Sequence, residues 1–457
     1  SQQTDWAEQN PEMWWEHLCR GTKRIISENN IQNKNILAIG ICYQMHGLVV
    51  LDKKNKCLRN AIIWCDSRAI SIGEIAAQEL GEKKYGSHLL NAPGNFTASK
   101  LKWVKENEPL IYEQIEHYML PGDFIAYKLS NEITTTKNGL SEGILWDYKE
   151  NKVADWLLNY YGIDARLTPS LVENFEIQGR VTQTASFETG LPKNIPIRYR
   201  AGDQPNNAWA LNISKKGEVA ATAGTSGVLF AITDRIDVKE YDRLNHFAHV
   251  NYTNENPVIG KLLCVNGAGI QYSWLKKIFS IKTFNEMNSL ASKAPVGSSG
   301  LVNLPFGNGA ERMLNNRTPG AQFCNLNLNL HEQGHLYRSA LEGVAFSFAY
   351  GMDIMREDKL DINVIRAGND NMFRSEIFSN TLANLIGQPI EIYNTTGAIG
   401  AARAAGVDNE SLEDYINSIG TMDSEGEFVP KKDNEFYLEA YLKWKKELET
   451  ALDKLKI

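Results

Sequence analysis

The sequence predicts an α/β fold in two domains, and three observations carry that reading. Strand-like and helix-like runs alternate along the chain. A strand closing on a glycine turn that opens a helix recurs in both halves, as in "RYRAGDQPNNAW" and "VIRAGNDNMFRSEIF". The length, 457 residues, exceeds what a single hydrophobic core organises. The repeated unit points to two α/β domains with a cleft between them.

Taken in order, "PEMWWEHLCRGTKRII" carries apolar residues at helical spacing, with Trp14, Leu18 and Ile25 among them. "NILAIGICY", "GLVVLD" and the short "AIIW" read as strands, with "KKNK" as a turn. The next helix, "SRAISIGEIAAQELG", takes Ser67 as its N-cap and Gly81 as its stop, and "TASKLKWVKENEP" repeats that grammar with Thr97 and Pro109. Further on, "IPIRYRAGDQPNNAWALN" runs strand, Gly-Asp turn, helix, and "GEVAATAGTSGVLFAIT" is two β-runs around Gly224-Thr225-Ser226-Gly227. "KLLCVNGAGIQYSWLKKIF" is again strand, glycine turn, helix; "HLYRSALEGVAFSFAYGMDIMR" is one long helix. The stretch from Val407 to Asp433 is expected to be a solvated connector, and an amphipathic helix closes the chain.

Composition excludes several classes. Hydrophobic residues make up 43% and charged residues 23%, as in globular proteins. No run approaches the roughly 18 apolar residues of a membrane helix, and "SQQTDWAEQN" has neither the basic nor the apolar region of an export signal. Cys19, Cys42, Cys57, Cys65, Cys264 and Cys324 are scattered without a C-x-x-C pair, so they read as thiols in a reducing cytoplasm. The net charge of −7 argues against broad binding of nucleic acid or anionic membrane. It leaves room for a nucleotide, whose phosphates helix termini and backbone amides can bind locally.

Six stretches carry candidate chemistry. "HEQGH", His331 to His335, matches the zinc-protease string, which works only mid-helix. Here it follows a strand-like "NLNLNL" and contains Gly334, so it reads as the turn before the long helix. His246 and His249 in "HFAHV" point to opposite faces of a β-like segment, and no metal site is expected. "GAG" at 267–269 is a weak dinucleotide signal, and no P-loop string occurs. "TAGTSG" is either a plain hairpin turn or a tip whose bare backbone amides wrap phosphate oxygens. Asp203, at a strand end before a helix, is either an N-cap or a carboxylate able to take a proton from a substrate hydroxyl. Gln44, Met45, His46 and Gly47 raise the same choice between a buried turn and a pocket lining.

What separates these readings is their joint order. "QMHGLVVLD", "AIIWCDSRA", "TASKLKWVKENEP", "YMLPGDFIAYKLSNE", "GDQPNNA", "ATAGTSGVLF", "NGAGIQYSW", "RSALEGVAFSF" and "RAGNDNMF" together resemble the FGGY family of carbohydrate kinases, from about Trp6 to Gly406. The resemblance implies two ribonuclease-H/actin-like ATPase domains with an interdomain cleft. Residues 1–212 would form the sugar-binding domain, and residues 213–457 the nucleotide-binding domain with the C-terminal helix. It implies ATP and Mg²⁺, a small-molecule sugar, no nucleic acid or membrane partner, a cytoplasmic setting, and admits a homodimer.

Residue by residue, Asp203 matches the family's catalytic base. Gln44, Met45, His46, Trp64 and Gln204 match the sugar end; Gly224, Thr225, Ser226 and Gly227 match a phosphate loop. Gly267 and Gln271 match the nucleotide-side turn, and Gly368 and Asn369 the adenosine motif, which is ordinarily richer in glycine. "QMHG" resembles the members acting on xylulose; ribulose, gluconate or glycerol, or a non-catalytic actin-like role, are the alternatives. "NGAERMLNNRTP" looks like the family's "GERTP" stretched by an insertion. The family opens with a strand and hairpin carrying Asp-x-Gly-Thr, whereas "DWAEQNPEMWWEHL" resembles the segment after it, so the polypeptide is expected to extend upstream of Ser1.

Overall fold

A computed structural model describes residues 5–408, 411–418, 423–432 and 434–456. The first long helix, Pro11–Glu28, starts where Asn10 accepts the Glu12 amide and where proline supplies a preset φ. In the first half, Pro196–Gly202 lies parallel to Ile39–Tyr43 and antiparallel to Gly179–Arg180. In the second half, seven strands form one sheet in the order 245–248, 259–265, 227–233, 218–223, 364–368, 390–393, 424–428. Its centre is parallel, where Glu218–Ala223, Val364–Gly368 and Ile390–Tyr393 adjoin, and its flanks are antiparallel. The long helix Gln333–Glu357 packs on this sheet and is buried along most of its length.

Three local expectations need correction. The helix Ile70–Leu80 starts three residues after the expected cap, because the Ser67 hydroxyl is engaged elsewhere, donating to the Asp5 carbonyl at 3.0 Å. Gly81 does end it, with φ of 75°. Thr97 is the first residue of the helix Thr97–Asn107 and not its cap; its hydroxyl donates to the Gly47 carbonyl at 3.3 Å. Pro109 opens a further short helix, Pro109–Tyr112, where a missing amide hydrogen costs nothing. The expected connector contains a helix, Leu412–Ser418, and a strand, Ser424–Phe428, that pairs with Ile390–Tyr393; residues 409–410, 419–422 and 433 lie outside the described set. That strand hid in the sequence because it is an edge strand carrying Glu425 and Glu427, charges that discourage pairing with other chains.

The cores are not confined to one half each. One cluster joins Met45, Phe96 and Leu140 to Phe230, Phe247 and Ile259. Among the described residues, no helix is long and apolar enough to cross a membrane.

Candidate active site

The strand Ile39–Tyr43 ends in the turn 44–47, which two close contacts shape. Gly47 lies against the Pro121 ring, where an added Cβ would come within 2.5 Å of Cγ. His46 takes φ of 60°, a left-handed conformation that costs a branched side chain more than it costs glycine. Its ring sits edge-on to Phe96 at 4.9 Å and tilted against Phe247 at 5.4 Å, so residues from both halves hold it. The Nδ1 atom is 2.7 Å from the Glu142 carbonyl oxygen. A carbonyl only accepts, so Nδ1 carries the hydrogen and Nε2 keeps its lone pair. Burial, and next the Lys100 ammonium, push the imidazolium pKa down to about 3. His46 is therefore a neutral ring at neutral pH, presenting an acceptor.

Asp203 is the first residue of the helix Asp203–Ala210, and Gly202 occupies the cap position without a side-chain bond. The carboxylate accepts from the Gln204 amide at 3.0 Å. Burial raises its pKa, while Gln204 and the backbone amides of Asp203, Gln204 and Met45 oppose the rise. The Met45 amide ties the carboxylate to the turn 44–47. Gly202 closes the same junction: an added Cβ would meet Met45 Cγ at 2.5 Å and would clash with the Glu142 carboxyl. Glu142 is buried, and burial first, then the Asp203 charge among other causes, drives its pKa well up. Burial and the neighbouring Asp203 charge thus both favour the protonated form of Glu142. The remaining sugar-end candidates flank this junction: Gln44 Oε1 lies 3.4 Å from the Trp64 amide, and the Trp64 ring is 61% exposed.

The two β-runs around "GTSG" form the expected hairpin, Ala223 pairing with Gly227. Its tip is welded to the helix Gly269–Ile278: the Gly269 amide donates to Gly224 O at 2.9 Å and the Ile270 amide to Thr225 O at 3.1 Å. Gly269 has no room for a side chain, since a Cβ would lie 2.5 Å from Gly224 O. Beside this weld lies a cavity of about 440 Å³ lined by Gly224, Thr225, Tyr272, Phe284, Asn288, Asn371 and Arg374, among others. An aromatic wall, two amide side chains and a guanidinium suit a flat heterocycle with a phosphate tail.

The other nucleotide candidates sit around this cavity, outside its lining. Gly227 packs on Phe348, and Ser226 is exposed beside it. The Gly267 amide donates to the buried Glu311 carboxylate at 2.6 Å, as does that of Asn266 at 2.9 Å. Gln271 is buried in the helix with Oε1 unpartnered. Gly368 ends the strand Val364–Gly368, and the Asn369 side chain donates to Glu425. Of the nucleotide candidates named from the sequence, Gly224 and Thr225 line the cavity and the others do not. Tyr272, Phe284, Asn288 and Arg374 went unnamed; the 3.6-residue period after Gly269 was the signal that could have offered Tyr272.

In "HEQGH", His331 lies just before the long helix and His335 in its first turn; the preceding "NLNLNL", expected to be strand-like, is itself loop and turn. His246 and His249 are both buried, with different partners: Asp358 at 3.7 Å for the first, the Ile213 carbonyl at 2.9 Å for the second. A larger hollow, about 800 Å³, runs along the outer edge of Ile39–Tyr43 between Trp14, Leu18 and Ile125, and is mainly apolar.

This fold, with a buried carboxylate at a strand–helix junction and a separate nucleotide-shaped cavity, defines a phosphotransferase arrangement. The chain belongs to the FGGY family of carbohydrate kinases: residues 1–209 match the family's N-terminal domain and residues 219–408 its C-terminal domain. It is accordingly an ATP-dependent carbohydrate kinase. Xylulose kinases of Bacillus subtilis and Escherichia coli are each 27% identical to it, over 94% and 93% of this chain and 86% of theirs. Among solved structures, a xylulose kinase from Rhodospirillum rubrum superposes with a TM-score of 0.86 at 23% identity, covering 98% of this chain and 91% of that one. A glycerol kinase from Plasmodium falciparum with ADP gives 0.88 at 21%, over 98% and 91%. A gluconate kinase from Lactobacillus acidophilus gives 0.86 at 18%, over 99% and 91%. At these identities the superpositions establish the fold, two ribonuclease-H/actin-like ATPase domains, and leave the acceptor open.

Proposed function

We propose that the acceptor is D-xylulose, that its terminal hydroxyl receives the γ-phosphoryl group of MgATP, and that Asp203 is the base. The observation that carries this is the junction where the buried Asp203 carboxylate, at the start of its helix, meets the Met45 amide of the turn that also carries the neutral His46. Phosphoryl transfer asks mainly for positioning and charge neutralisation. Asp203 accepts the hydroxyl proton as the oxygen attacks in line, and its raised pKa makes it a better acceptor than an exposed aspartate. His46 Nε2 accepts from a sugar hydroxyl, and Met45 supplies an apolar wall. Asn371, Arg374 and the Gly224–Thr225 backbone hold the nucleotide. Mg²⁺ when bound neutralises phosphate charge. Such an ion is held largely by the nucleotide's phosphate oxygens and by water, so it needs no three-ligand cluster on the protein.

Support for xylulose over glycerol or gluconate comes from the "QMHG" turn and from the curated relatives' names. A coupled ADP-release assay across D-xylulose, L-xylulose, ribulose, gluconate and glycerol tests it. Rapid turnover of another acceptor with none of D-xylulose would overturn the substrate, and no turnover of any would overturn the catalytic role.

A further inference from the structure

The helix Thr97–Asn107 holds a buried cation that the chemistry above does not use. Lys100 is fully buried, and no carboxylate pairs with it among the described residues. Its Nζ donates to the His46 carbonyl at 2.8 Å and to the Ile63 carbonyl at 3.0 Å. These carbonyls belong to different loops: one is the turn carrying Met45 and His46, the other leads directly into Trp64. The same helix end reinforces the first loop through the Thr97 hydroxyl on the Gly47 carbonyl. Just before it, the Asn95 side chain donates to the Asp66 carbonyl on the second loop. A buried ammonium satisfied only by carbonyls is costly, and such a cost persists where something else depends on it.

We infer that Lys100 is a positioning residue for the acceptor sugar, clamping the His46 turn and the Ile63–Trp64 segment at one spacing and holding His46 in its left-handed conformation. This rests on the kinase reading above. Lys100 touches no reacting atom; it acts through the His46 backbone. Its charge is also the second cause, after burial, of the low His46 pKa. Burial brings the ammonium pKa down to about 8, so the clamp has a titration of its own within an assayable range. The charged groups facing it are Asp66, Cys65 and Arg68 on the second loop. Asp66 is paired with Arg68 at 2.7 Å and does not change charge there, while the Cys65 thiol is separated by a Cys65→Ser control.

The test is steady-state kinetics of wild type, Lys100→Met and Lys100→Gln with each substrate varied. A misplacement of about 1 Å in an active site can cost about 100-fold. Lys100→Met should raise the sugar KM roughly 10- to 100-fold while the ATP KM stays within about twofold, and Lys100→Gln should recover part of the loss. In wild type and in Cys65→Ser, the sugar KM should climb above pH about 8, and Lys100→Met should lack that climb. Should Lys100→Met not fold, the wild-type and Cys65→Ser profiles decide alone. Sugar and ATP KM rising together, an unchanged sugar KM, or a flat wild-type profile from pH 7 to about 9.5 would overturn the inference. A wild type that turns over no sugar would instead overturn the kinase reading, and this one with it.

Discussion

Replacing Asp203 by Asn should abolish turnover and, at the same time, make the protein more stable. The structure gives both signs. Asn keeps the shape and the contact with Gln204 but cannot take a proton, and a general base contributes about 10² to 10⁴ in rate. At about 1.4 kcal/mol per decade, that is about 3 to 5 kcal/mol of transition-state stabilisation. The stability effect follows from burial. The folded carboxyl's pKa is raised above its ordinary value of 3.8, so the folded state holds this proton more tightly than the unfolded chain does. Stability is then greatest below 3.8 and falls as pH rises through the folded pKa, after which the ionised carboxylate carries a constant penalty. Asn removes that charge, and each 1 kcal/mol so released should raise Tm by about 2 to 4 °C in a domain of this size. The assays are ADP release and differential scanning calorimetry at pH 7.5, with the calorimetry repeated at falling pH, along which the gain should shrink. Near-wild-type turnover would return Asp203 to a structural role. Lost activity with a lowered Tm would refute the desolvation reasoning, because it would mean that the carboxylate stabilises the fold.

The other predictions address separate parts of the site. His46→Ala should raise the sugar KM by about tenfold or more and leave the ATP KM near wild type, since a hydrogen-bonding partner and two ring contacts are lost at the sugar end alone. Arg374→Ala and Asn371→Ala should do the reverse, weakening nucleotide binding by roughly tenfold each in isothermal titration with an ATP analogue. Gly269→Val should both destabilise the protein and weaken nucleotide binding, because its side chain would force apart the weld between hairpin tip and helix; unchanged ATP affinity would detach that weld from the nucleotide site. Treatment with a zinc chelator in excess Mg²⁺ should leave turnover unchanged, and a loss of activity would revive the metal reading of His331 and His335.

The parts of this fold that the sequence made legible are those where one local rule decides. Gly81 must end its helix because it takes positive φ, and the "GTSG" hairpin follows from a short turn between two apolar runs. The caps at Ser67 and Thr97 misled because a hydroxyl is free to serve any nearby acceptor, and a tertiary contact, with Asp5 in one case and Gly47 in the other, outcompetes the local one. The edge strand Ser424–Phe428 was invisible because its glutamates erase the alternation by which a strand is read. Around the cavity, residue order pointed to Gly224 and Thr225, but Tyr272, Asn288 and Arg374 depend on how segments from distant positions converge. Lys100 was out of reach altogether: in the sequence it is one lysine in a helix rich in them, and only the fold brings its ammonium to two carbonyls.

The convergence of both halves on one imidazole gives the site a built-in link between its substrates. His46 is anchored from the first half by Phe96, the Glu142 carbonyl and Lys100, and from the second by Phe247, which lies on the strand Asn245–Ala248. That strand belongs to the sheet whose central members lead into Gly224 and the nucleotide cavity. The Asn91 side chain reinforces the link on that same strand, donating to the His246 carbonyl at 2.5 Å and accepting from the His246 amide at 2.8 Å. A displacement of the second half therefore cannot leave the ring of His46 untouched, because interiors are packed too closely to absorb it. Water is the competing acceptor in any phosphoryl transfer, and a site that assembles fully only when both halves are seated limits that side reaction. The strained turn at His46 is then where the cost of coupling is stored, which is the place such strain is expected when it serves function.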